Sequence, residues 1–181
     1  MTGAPRHRLP VVALGALLSA CSCPQNKALV DDFEGCKGTC GWTVSGGSAM
    51  VVSTILPGEH GLQIDGGATA AKSISPVSID TSYSLRMIAD CPDGLAATVA
   101  ATAPNASDLS ISVMLSIDTT LTSSGDPPDY SGATYVPLSG FINLPSGVMS
   151  AVVHQVTLQP ATGGPCTVDV IRITSTTPCT R

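Results

Sequence analysis

Residues 109–117 read LSISVMLSI, and the alternation in this stretch decides the fold class. Leu109, Ile111, Val113, Leu115 and Ile117 fall on one face at a period of two, and the opposite face is mainly serine. A strand sends successive side chains to opposite faces, so one face meets a core while the other meets water or a ligand. A helix would need apolar residues at a 3.6-residue period, and no stretch from Leu29 onward sustains one.

The same pattern extends outward in both directions. In residues 82–90, SYSLRMIAD, the set Tyr83, Leu85, Met87 and Ala89 alternates with Ser84, Arg86, Ile88 and Asp90. Residues 151–159, AVVHQVTLQ, put Val152, His154, Val156 and Leu158 on one face under strict alternation. Residues 166–174, CTVDVIRIT, put Asp169 together with Ile171 and Ile173, opposite Val168, Val170 and Arg172. Gly46-Gly47 between two apolar runs predicts a hairpin, and the Gly66-Gly67 pair after GLQID predicts another turn. About eight to ten short antiparallel strands at this spacing predict a single all-β sandwich or jelly roll over residues 29–181.

Composition agrees with an exported β domain. Of 181 residues, 43% are apolar and only 3% aromatic, so the core must be aliphatic. Charged residues are 12%, about half the usual globular share. The net charge is −5 and no basic cluster lies outside the N-terminus, which argues against a nucleic-acid partner, because neutralising phosphates requires a Lys/Arg surface.

The N-terminus reads as a leader. Arg6 and Arg8 precede an apolar run from Leu9 to Leu18, and Ser19-Ala20 supply the small residues that a signal peptidase accepts. That run is well short of the ~20 residues that span a bilayer as a helix. Residues 18–21, Leu-Ser-Ala-Cys, resemble the bacterial lipobox. The resemblance implies a cleaved signal peptide over residues 1–20 and a diacylated Cys21, with residues 21–28 as a short tether. Two or more acyl chains anchor stably where one binds reversibly. Ser22 stands where an inner-membrane retention signal would place Asp, so the expected location is the cell envelope, at the outer membrane.

Seven cysteines become six once Cys21 is assigned to lipid. An even set in an exported chain predicts three disulfides, and fifteen pairings are open. The preferred set is Cys36–Cys40, Cys91–Cys166 and Cys23–Cys179, the last because the termini of a domain often lie close together. The three-residue gap in CKGTC and the lack of a nearby second Cys/His pair favour a disulfide over a zinc or thioredoxin-like site.

The order of the pieces DDFE (31–34), GWTV (41–44), GEHGLQI (58–64), SYSLRM (82–87) and VDVIRI (168–173) resembles carbohydrate-binding modules with a galactose-binding-like jelly roll. The resemblance implies glycan binding on a sheet face or end loop, and a structural calcium ion with Asp32, Glu34 and Asp169 as carboxylate ligands. The plainer reading of those residues is that Asp169 bonds nearby backbone while Asp32 and Glu34 are solvated. Candidate ligand contacts are Trp42, Tyr130, Tyr135, Arg86 and Gln155; Trp42, beside Cys40-Gly41, reads better as core, and Tyr130, in a turn-rich loop, as exposed.

Catalysis has little to stand on. His60, beside Glu59, and His154 lack an identifiable nucleophile, and no nucleophile elbow, phosphate loop or zincin motif is present. The sequence therefore predicts a non-enzymatic, lipid-anchored envelope protein, with a glycan or another envelope protein as its partner.

Overall fold

The computed structural model describes residues 28–54, 59–118 and 134–176. The stretch expected to be a leader, together with Cys21, Cys23, Tyr130 and Cys179, lies outside the described residues. Among the described residues there is no helix. The strands are β1 (Ala28–Asp31), β2 (Thr43–Ser45), β3 (Ala49–Ser53), β4 (His60–Ile64), β5 (Thr69–Ile79), β6 (Tyr83–Asp90), β7 (Leu95–Ala103), β8 (Ala106–Val113), β9 (Ser116–Ile117), β10 (Val136–Phe141), β11 (Ala151–Pro160) and β12 (Cys166–Ser175).

They form two antiparallel sheets. One runs β3-β4-β12-β6-β10-β9, with β1 also pairing β12; the other runs β2-β5-β11-β7-β8. β4 pairs the first residues of β12 and β1 pairs its later ones, so two short strands share one long neighbour. The all-β sandwich that the alternation predicts is the fold that forms.

The core is aliphatic, as the composition requires. Leu62, Ile64, Leu85, Met87, Val168 and Ile173 from the first sheet are buried against Val99, Ile111, Val113, Val153, Val156 and Leu158 from the second. Burying each such side chain contributes roughly 1.5–3 kcal/mol relative to leaving it in water. Aromatic rings add one local cluster, with Phe33 and Trp42 at a centroid distance of 6.3 Å.

The fold departs from the sequence expectations in four places, each for a physical reason. In β12 a bulge between Asp169 and Arg172 inserts one residue relative to β6. Ile171 and Ile173 therefore stay in the core with Val168, while Asp169, expected beside them, pairs with Ile88 on the outer face. Val170, at the bulge, takes φ 26°, a rare conformation for a β-branched residue. A second bulge in β11, between Val153 and Gln155, has the same effect. Ala151 and Val153 face the core with Val156 and Leu158; Val152 is exposed and His154 is only half-buried, so the expected apolar histidine face does not form.

The third departure is Gly46-Gly47. β2 pairs β5 and β3 pairs β4, so this turn carries the chain from one sheet to the other and closes no hairpin. The fourth is LSISVMLSI itself. β8 ends at Val113, Met114 and Leu115 cross between the layers, and β9 joins the opposite sheet. Ile117 is consequently exposed, although its spacing places it with the core residues. Strands that switch sheets form the corners of sandwiches.

Two of the preferred disulfides are present. Cys36–Cys40 closes the CKGTC turn, and Cys91–Cys166 ties the end of β6 to the start of β12.

Candidate binding face

The outer face of the first sheet is built by register. Because Leu85, Met87 and Ala89 of β6 point inward, Ser84, Arg86, Ile88 and Asp90 point out. Arg86 stands between Arg172 on β12 and Ser139 on β10, and Ser139 is in turn opposite Ser116 on β9. One step along, Ser84 lies between Thr174 and Phe141. The face thus carries cations, carboxylates and hydroxyls at regular strand spacing.

At one corner of this face is a cleft of about 110 Å³, lined by Ser84, Arg86, Met114, Ser116, Ser139 and Phe141. The crossing of Met114 from one sheet to the other makes one wall. Gly140 permits that crossing: a Cβ there would stand 2.3 Å from the Met114 carbonyl oxygen and 2.7 Å from Val113 Cγ1. Phe141 is 60% exposed and Met114 88% exposed at the rim. Inside, the Ser116 hydroxyl donates to the Ser139 carbonyl at 3.4 Å. The Arg86 side chain is one-third exposed, and its Nε lies 3.9 Å from Asp118 Oδ2, beyond hydrogen-bond reach. That Nε is buried and has no hydrogen-bond partner.

Farther along the same face is an acidic cluster around Tyr135. The tyrosine precedes β10, its side chain hydrogen-bonds Thr167, and Asp90 and Asp169 stand nearby. Burial raises the phenol pKa above its ordinary value; the Thr167 bond opposes this and the two carboxylates add to it. Asp90 also accepts a hydrogen bond from the Thr134 hydroxyl. Asp169 is fully buried, and its Oδ1 accepts the Val170 N–H at 2.7 Å.

The expected calcium ligands are not brought together. Asp32 accepts the Glu34 N–H. Glu34 turns to β4, taking the His60 N–H at 2.8 Å on Oε1 and approaching His60 Nδ1 at 3.2 Å with Oε2. Among the described residues no group of three or more His, Cys, Asp or Glu side chains is placed to share a metal ion. The neighbouring Asp31 is the carboxylate that enters the interior. Its Oδ2 accepts Trp42 Nε1 at 2.8 Å and Lys72 Nζ at 2.5 Å, and its Oδ1 accepts the Phe33 N–H. Lys72 also donates to the Cys40 carbonyl at 3.1 Å. An ammonium group therefore supplies the positive charge that this buried carboxylate requires.

Of the residues singled out from sequence as ligand contacts, Arg86 and Tyr135 share the outer face. Trp42 is 3% exposed and belongs to the core, as its place beside Cys40-Gly41 suggests. Gln155 lies in the β11 bulge of the other sheet, away from Arg86. Sequence reasoning missed Phe141, Ser116 and Ser139, which become neighbours of Arg86 only through the β9–β10–β6 pairing. It also missed Lys72, which stands 41 residues from its partner Asp31.

No protein-family profile matches the sequence, and no curated protein matches it. Solved structures of similar shape do exist. One is a carbohydrate-binding module from Cellvibrio mixtus lichenase 5A in complex with cellotriose, at 20% identity and a TM-score of 0.43, covering 78% of this chain and 96% of that one. Another is a Clostridium stercorarium module in complex with cellobiose, at 20% identity and a TM-score of 0.41, covering 83% and 93%. A third is a xylan-binding module, at 15% identity and a TM-score of 0.43, covering 86% and 99%. The sugars in those complexes belong to those proteins; what this chain is similar to them in is its β-sandwich.

Proposed function

We propose that this chain is a non-catalytic β-sandwich binding domain of the cell envelope, and that the outer face of β6, β10 and β9 takes a glycan. The observation that carries this reading is the cleft itself, where Arg86 and three serines stand beside an exposed phenylalanine. A sugar ring presents hydroxyls at its edge and C–H groups on its face, so it needs polar groups and a flat apolar surface in the same small space. A screen of the purified protein against neutral and acidic glycans tests this directly. Binding is expected to one glycan class and to fall about tenfold in Phe141→Ala, a loss of the ~1.4 kcal/mol expected of one ring contact. Silence across the screen would sink the reading.

The lipobox-like residues 18–21 support attachment through Cys21 to the membrane, with the domain held close to the surface. Mass spectrometry of the native protein is expected to show an N-terminal peptide that begins at diacylated Cys21; an unmodified Cys21 would refute the anchor. A second reading has its own observation: Met114 and Phe141 are exposed at the rim of the cleft, and an apolar surface of this kind also suits docking on another envelope protein.

A further inference from the structure

The cleft has a chemistry narrower than that of a general glycan site. Among the described residues that line it, Arg86 is the only formally charged one. Behind the guanidinium, Asp118 Oδ2 pairs with it at 3.9 Å from Nε without a hydrogen bond there, and the third of the side chain that is exposed faces the cleft.

From these observations we infer that the cleft recognises a carboxylated sugar, a uronic-acid unit of an acidic glycan, with its carboxylate on Arg86 and its ring against Phe141. This rests on the glycan reading above and narrows it. A planar guanidinium matches a carboxylate in a two-bond fork, which an ammonium or a hydroxyl cannot do. Ser84, Ser116 and Ser139 lie within the same cleft for the ring hydroxyls. A volume of about 110 Å³ accommodates one sugar's carboxyl end, with the rest of the glycan outside the cleft.

The test is calorimetric titration of the full chain with glucuronic acid, polygalacturonate, glucose and cellohexaose at low salt. Acidic ligands are expected to bind at least about tenfold more tightly than their neutral counterparts, the scale of one charge-assisted fork. Arg86→Gln is expected to remove that preference. Arg86→Lys, which keeps the charge and guards against a folding defect, is expected to retain only part of it and to restore part of the salt dependence. Equal or tighter binding of neutral glycans overturns the acidic specificity while leaving the glycan reading intact. Acidic binding that survives Arg86→Gln unchanged overturns the assignment to this cleft. Failure of all four ligands overturns the acidic site, and silence across the wider neutral and acidic screen overturns the glycan reading with it.

Discussion

Asp31 and Lys72 show how one buried charge is handled at the residue scale. The carboxylate is 9% exposed and bonded to both an ammonium and an indole N–H. Removing one partner of a fully buried pair costs about 3–5 kcal/mol, because the other charge is left uncompensated. A fifth of the Lys72 side chain is exposed, so Lys72→Met is expected to cost about 2–3 kcal/mol in urea unfolding, with Asp31→Asn/Lys72→Met recovering part of the loss. Tyr135 makes a pH-dependent contribution of the opposite kind. Its folded pKa is raised, so the unfolded chain releases this proton first as pH rises. The associated stability is complete below about 10, the unfolded tyrosine value, and declines as pH climbs from there toward the folded value. Tyr135→Phe is expected to lose stability less steeply than the parent above pH ~10, and parallel curves would refute this.

At the scale of elements, the two bulges decide which residues meet a ligand. In β12 the apolar set is Cys166, Val168, Ile171 and Ile173; in β11 it is Ala151, Val153, Val156 and Leu158. In each strand one gap of three residues interrupts the gaps of two, but Val152 and Val170 are apolar as well, so only the burial in the fold reveals the bulge. Strict alternation instead placed Asp169 on the face of Ile171 and Ile173, and Val152 on an apolar face with Val156 and Leu158. The crossing from β8 to β9 leaves no mark in the sequence either, because Leu115 and Ile117 continue the alternation unbroken. The residue that accommodates it, Gly140, is remote in sequence and lies where the Met114 carbonyl approaches β10. Gly140→Ala is expected to push that crossing strand away, costing about 1–3 kcal/mol and weakening glycan binding more than Phe141→Ala does. Unchanged affinity with normal stability would show that the wall of the cleft does not depend on this contact.

On the scale of the whole molecule, a core with so few rings relies on many aliphatic contacts and on covalent ties. The Cys91–Cys166 bridge spans a sequence separation of 75 residues, and a loop of that length corresponds to roughly 4 kcal/mol in the chain-entropy account. The Cys91→Ala/Cys166→Ala double variant is expected to lose a comparable amount in denaturant unfolding, whereas loss of Cys36–Cys40, with a separation of four, is expected to cost less. By itself the sequence determined the all-β class, the aliphatic core and the expectation of disulfides, because strand alternation, composition and cysteine parity are properties of the chain read locally, whereas the pairing of Cys91 with Cys166 was one of fifteen open choices. Tertiary structure alone decided that LSISVMLSI divides between two sheets, that Lys72 meets Asp31, and that Arg86 shares a cleft with Phe141. Those outcomes depend on which strand lies beside which, and pairing between distant segments is set by the packing of the two layers rather than by any one stretch.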